Sequence, residues 1–253
     1  MHLLASLATA ARLRDIGLPG PPAKKAPSLA KALAVAPGII AELKPVSPTE
    51  GTMRRIDAGL ARSLVIAGAC GLSALTEPTR FGGSPALLRD AVSAGGPVLM
   101  KDFVVTEKQL DLAQASGASA VLLILPLLSR EHSEWSSPEA AIDSARARGL
   151  ETLLEVYDDE DYLLASLLEP DIVGVNNRDL RLDGAPMDPE RTIGVLSRCG
   201  PLEVPVLALS GARDAGDVRA QVKAGARGVL VGTTLMRAAD PAAKLRELLE
   251  GLK

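Results

Sequence analysis

The chain has 253 residues, 47% of them hydrophobic and 23% charged, which is the composition of a globular protein. A net charge of −3 leaves no basic excess for a nucleic-acid partner. Two cysteines, Cys70 and Cys199, have no CxxC or metal-ligand spacing; they make no disulfide framework, and a reducing compartment is the simpler reading.

The N-terminal stretch MHLLASLATAARLRDIG lacks a basic start ahead of a clean apolar run, so no signal peptide is expected. Leu3, Leu4, Leu7 and Ala11 fall at helical spacing and predict a short amphipathic helix. PGPPAKKAP (19–27) reads as a connection from that helix to the rest of the chain. No apolar run is long enough to span a bilayer, so no membrane partner is expected and the location is taken as cytoplasmic.

A unit then repeats. LVIAGACGLSAL (64–75), AQASGASAVLLI (113–124) and QVKAGARGVLVG (221–232) each run from a helical tail through Gly-Ala to an apolar β run. Glycine suits the left-handed residue that ends a helix, and the apolar run suits a parallel strand covered on both faces. In chain order eight strands are predicted: 39–44, 71–77, 97–103, 120–125, 151–157, 171–177, 205–210 and 228–233. Helical patterns lie between them, as at 107–117, 138–149 and 215–225. Eight such alternations predict an α/β fold, a (β/α)8 TIM barrel formed by residues 1–253 as one domain, with 1–38 a helical extension. A doubly wound open sheet is the alternative, but it would usually carry a Gly-rich turn after its first strand, and ELKPVSP has none.

Such barrels build chemistry at the carboxyl ends of their strands. There the sequence places Glu42 and Lys44, Glu77, Lys101, Glu155, and Asn176 followed by Asn177 and Arg178. Any one of these is ordinarily a solvated rim residue or half of a structural ion pair. Together, Glu42, Lys44, Lys101, Glu155 and Asn176 converge on one mouth. Opposite charges there satisfy each other and shift each other's pKa. A lysine with a second lysine nearby and partial burial is expected to titrate closer to neutral and to donate a proton. Strands 7 and 8 end differently, in SGARD and VGTTLM: small residues with available N–H groups, at the frequent phosphate site of this fold. Plain turns are the blander reading of those glycines. Only two Phe exist, Phe81 and Phe103, and both follow strand ends, where they would stack a planar group or pack a lid.

IIAELKPVSPTEG, LTEPTRFGGS, PVLMKDFVVTEKQ, LLEVYDDEDYL, VGVNNRDL and VLVGTTLMRAADP together resemble indole-3-glycerol-phosphate synthases, from about residue 39 to the end. The Glu-x-Lys-x-x-Ser-Pro and Lys-Asp-Phe patterns, found in order, are specific. The resemblance implies ring closure of 1-(2-carboxyphenylamino)-1-deoxyribulose 5-phosphate with loss of carbon dioxide and water, in tryptophan biosynthesis. It implies Lys101 as general acid, Glu155 as acid/base in the dehydration, Glu42 and Asn176 as polarising groups, and Lys44 at an anionic end of the substrate. Arg178 would face the departing carboxylate. Ser210, Gly211, Gly232 and Thr233 would bind phosphate, Phe81 and Phe103 would line the anthranilate pocket, and Ser47 belongs to the first motif as a substrate contact. No cofactor is implied; His2 and His132 are isolated and no metal site is expected. The partner is a small phosphorylated molecule, and a monomer is the working expectation.

One departure stands out. Such enzymes usually carry an acid before the Ser-Gly of strand 7, where this chain has Leu209. Losing that charge points to lowered activity, a shifted substrate, or a barrel that binds without turning over. A phosphoribosylanthranilate isomerase would want a cysteine at the end of strand 1, where this chain has Glu42 and Lys44. A tryptophan synthase α subunit resembles the first motif loosely but gives no reason for Lys101.

Overall fold

The structure is a computed structural model that describes residues 2–17, 24–182, 184 and 186–253. The sequence-predicted connection at 19–27 therefore lies partly outside the described residues. Two helices, α1 (His2–Leu13) and α2 (Leu29–Val35), precede the repeating units. These run β1 (Gly38–Leu43), α3 (Ala58–Ile66), β2 (Gly71–Leu75), α4 (Pro85–Ser93), β3 (Val98–Lys101), α5 (Glu107–Ser116), β4 (Ala120–Ile124) and α6 (Pro138–Ala147). They continue β5 (Glu151–Val156), α7 (Asp159–Leu168), β6 (Ile172–Asn176), α8 (Arg191–Cys199), β7 (Val206–Leu209), α9 (Ala215–Lys223), β8 (Gly228–Val231), α10 (Thr233–Arg237) and α11 (Pro241–Leu249). The eight strands are all parallel, neighbours in chain order, and β8 closes on β1. This is a TIM barrel.

The repeated Gly-Ala junctions do what the sequence predicts. Gly68, Gly117 and Gly225 have φ of 108°, 82° and 112°, values that carry no steric penalty only for glycine. Side chains alternate along each strand. Ala41, Leu72, Met100, Leu154 and Val229 face the helical ring, while Ile40, Leu99, Leu153, Leu207 and Leu230 fill the interior.

The extension wraps both ends of that interior. Leu29 and Leu33 of α2 lie beside Gly71 and Gly228, at the amino ends of the strands, where a Cβ on either glycine would collide with them. Glu151 at the start of β5 accepts from the N–H groups of Leu29 and Ala30, which otherwise lack helical partners. At the opposite end, Leu4, Leu7, Ala8 and Ala11 of α1 are buried in one cluster with Phe103 and Leu127. Among the described residues no helix is long and apolar enough to cross a membrane.

Three predicted strands overrun by two residues, among them 228–233, which ends at Val231. Residues 71–77 end as a strand at Leu75, and 97–103 at Lys101. Glu77 turns back to accept from the N–H groups of Thr79, Arg80 and Phe81, so its carboxylate shapes the β2 loop. Asp102 is buried and accepts from Arg14 and Thr76, each at 2.6 Å. Arg14 follows α1, so this ion pair ties the extension to the residue next to Lys101.

Candidate active site

The strand register stacks the interior in layers. Glu42 pairs with Ser73, Leu75 with Lys101, Ile124 with Glu155, and Asn176 with Leu209. An eight-stranded barrel of shear 8 climbs by about one residue per strand. Glu42, Lys101, Glu155 and Leu209, all on odd-numbered strands, then share one height. Ser73, Leu122, Gly174 and Leu230 lie below, and Leu75, Ile124, Asn176 and Gly232 above. Glu42, Lys101 and Glu155 thus form one polar layer on an apolar shaft, with Asn176 in the layer above.

Glu42 is the hub. One carboxylate oxygen lies 3.3 Å from the Lys44 ammonium and the other 3.1 Å from that of Lys101. Burial opposes the negative charge, but the two ammonium groups outweigh it and hold Glu42 at about 2. Lys44 also donates to the Thr233 hydroxyl at 2.9 Å, joining this storey to the start of α10. Asn176 donates its Nδ2 to Glu155 Oε1 at 3.0 Å.

The expected drift of Lys101 towards neutral does not occur. Burial lowers its pKa, yet the Glu42 and Glu155 carboxylates overcome that and raise it above the ordinary lysine value. Each ammonium group is paired with its own oxygen of Glu42, which lies between the two lysines. Lys101 is therefore a held cation, ready both to neutralise a developing oxyanion and to protonate it.

Lys101, Glu155 and Asn176 open on a narrow cavity whose apolar walls are Leu75, Phe81, Phe103, Leu122, Ile124 and Leu180. The rings of Phe81 and Phe103 are tilted at 38° with centroids 6.3 Å apart. Beyond Phe103 and Glu77 a wider cavity of about 520 Å³ lies under α1, with Arg14 and Arg80 in its walls. Arg178 sits beside the site, its N–H bonded to Asn176 Oδ1 at 3.0 Å. Ser47 lies farther along the β1 loop in a two-residue ribbon with Gly51, its hydroxyl 3.2 Å from that of Thr49.

The ends of β7 and β8 form the other rim. Ser210 has a φ of 67°, uncommon for a residue with a side chain, and Gly211 follows at 95°. Asn177 Nδ2 donates to the Ser210 carbonyl and Thr234 to that of Ala212, which fixes the two loops side by side. The short helix α10 starts here, at Thr233. Gly232 makes room for Glu42: a methyl group there would lie 2.2 Å from Glu42 Oε1. Gly232→Ala should push that carboxylate off its lysines and lower kcat/KM by about 10- to 100-fold. Steady-state kinetics beside a melting curve would test this, and a kcat/KM within twofold of the parent would refute it.

Leu209 is 1% exposed and leans over Gly174, whose missing side chain makes room for it. With an apolar residue there, this layer holds two carboxylates, Glu42 and Glu155, with Lys101 beside them and Lys44 above.

The Glu42 pairing also bears on stability. Its folded pKa of about 2 lies below the ordinary 4.5. The contribution is therefore full above pH 4.5 and is lost as pH falls towards 2, roughly 3 kcal/mol in all. Denaturant titrations across that window should show less acid destabilisation in Glu42→Gln than in the parent.

Titrating groups held over apolar walls at the carboxyl end of a closed parallel barrel place this chain among the (β/α)8-barrel enzymes. The family profile of indole-3-glycerol phosphate synthase matches residues 11–248. The indole-3-glycerol phosphate synthase of Methanopyrus kandleri is 42% identical over 233 residues, covering 88% of this chain and 87% of its own. That of Halobacterium salinarum is 40% identical over 244 residues, covering 91% and 90%. A ligand-free tryptophan synthase chain from M. tuberculosis matches with a TM-score of 0.61 at 15% identity, over 89% of this chain and 99% of that one, a likeness of fold alone. The chain belongs to the indole-3-glycerol phosphate synthase family.

Proposed function

We propose that this barrel converts 1-(2-carboxyphenylamino)-1-deoxyribulose 5-phosphate to indole-3-glycerol phosphate, a carboxy-lyase reaction of tryptophan biosynthesis. The observation that carries the assignment of roles is the position of Lys101. It is a paired cation, 3.1 Å from Glu42, in a cavity walled by Phe81 and Phe103.

The aromatic ring of the substrate lies between Phe81, Phe103 and Leu180. Its carboxylate-bearing carbon attacks the ribulose carbonyl, and Lys101 protonates the oxygen as negative charge develops there. The iminium formed in the substrate by this step accepts the electrons released with carbon dioxide. Glu155, oriented by Asn176, exchanges protons in the loss of water. Arg178 faces the carboxylate before it leaves as carbon dioxide. Ser210, Gly211, Gly232 and Thr233 hold the phosphate, with Lys44 bridging from Thr233 to Glu42, and Ser47 closes the β1 loop over it.

Leu209 removes a charge from this scheme but none of its proton donors or acceptors. The test is turnover: purified protein is mixed with the substrate and the appearance of indole fluorescence is followed. Product supports the proposal. Binding of the substrate without fluorescence would sink it and leave a barrel that only holds its ligand.

A further inference from the structure

We propose that Tyr157 is a positioning residue for Glu155, fixing which of its two oxygens is free to exchange protons with the substrate. This rests on the role given to Glu155 above.

Tyr157 follows Glu155 by two positions, so both point into the barrel. Its hydroxyl donates to Glu155 Oε1 at 2.5 Å, and Asn176 Nδ2 donates to the same atom at 3.0 Å. Oε2 accepts no hydrogen bond among the described residues. Two donors on one oxygen draw charge to it and lock the rotation of the carboxylate. The proton traffic of the reaction is thereby assigned to Oε2, on a group that already lines the cavity with Lys101.

The phenol is itself held from every side. Tyr157 is fully buried. The Arg181 guanidinium lies 4.9 Å from its ring centroid, and Arg181 pairs with Asp158, Asp161 and Asp179. The Tyr157 N–H donates to Asp161, and its carbonyl accepts from Arg191, which also pairs with Asp179. The β6 loop and the start of α7 thus clamp the ring through both its face and its backbone. Burial and the neighbouring Glu155 carboxylate push the hydroxyl well above the ordinary tyrosine range, so it stays a donor. A donor this rigid fits a geometric duty better than a generic packing one.

Tyr157→Phe deletes one oxygen and keeps the ring under Arg181. The experiment is a double-mutant cycle with Glu155→Gln, read by indole fluorescence, with thermal midpoints of all four proteins. Tyr157→Phe should lower kcat by about 10- to 100-fold with KM within about twofold. On the Glu155→Gln background it should lower kcat no further, because the oxygen it directs no longer exchanges protons. A fall of equal size on both backgrounds would make Tyr157 a packing residue and overturn the proposal. So would an unchanged kcat in Tyr157→Phe alone. If the parent protein itself fails to turn over, the functional assignment falls; if the parent is active and only the cycle fails, Tyr157 alone loses its role.

Discussion

Lys101→Met is expected to lower kcat by roughly a thousandfold or more, with the protein still folded. The substitution removes the one cation that, among the described residues, lines the cavity shared by Phe81 and Phe103. Without it, attack on the carbonyl leaves an alkoxide in an apolar site with no proton to take. Lys44 cannot substitute, because its ammonium is committed to Thr233 and to the far oxygen of Glu42. The fold should survive, since Glu42 keeps Lys44 as a partner and methionine refills most of the lysine stem. Lys44→Met makes the contrast. Its expected effect falls mainly on KM, because it lies towards the rim assigned to phosphate. The pair is tested by steady-state kinetics on both variants. If Lys101→Met keeps kcat within tenfold of the parent, Lys101 is not the acid; if Lys44→Met loses kcat instead, the two roles are exchanged.

Much of this site was legible because strand geometry is periodic and charge at a buried strand end is conspicuous. The pairs Glu42/Lys44 and Lys101/Phe103 stand two residues apart, and the barrel turns each pair into one inward-facing column. Glu155/Tyr157 is the same pattern on β5. An aromatic residue at the end of an apolar run reads as core, and only the folded structure shows its hydroxyl on a carboxylate. Asp102 is a charge at the end of a buried run, but its partner Arg14 lies 88 residues away, on a segment whose docking no local pattern dictates. Glu77 reads as strand for a related reason. Alternation continues smoothly through LTE, and nothing in the letters says that its carboxylate will cap the next three N–H groups.

The titration of Lys101 failed in prediction for a different cause, and that cause yields a second large effect. The sequence displays two lysines and invites the thought that they repel. The structure puts Glu42 between them, so each lysine meets a carboxylate first. Glu42→Gln takes that carboxylate away. The pKa of Lys101 is then set by burial, which lowers it, against Glu155 alone, which raises it, and the balance must move down. Lys44 is no longer screened and pushes the same way. Fewer Lys101 side chains carry a proton at alkaline pH, so the alkaline limb of the kcat/KM profile should shift to lower pH. Activity at neutral pH should fall by about 100- to 1,000-fold, since the amide also fails to hold the ammonium against the substrate carbonyl. Full pH–rate profiles of the parent and Glu42→Gln decide the matter. An alkaline limb that stays in place, whatever the loss of rate, would mean that Glu42 acts on the substrate directly and not by keeping Lys101 charged.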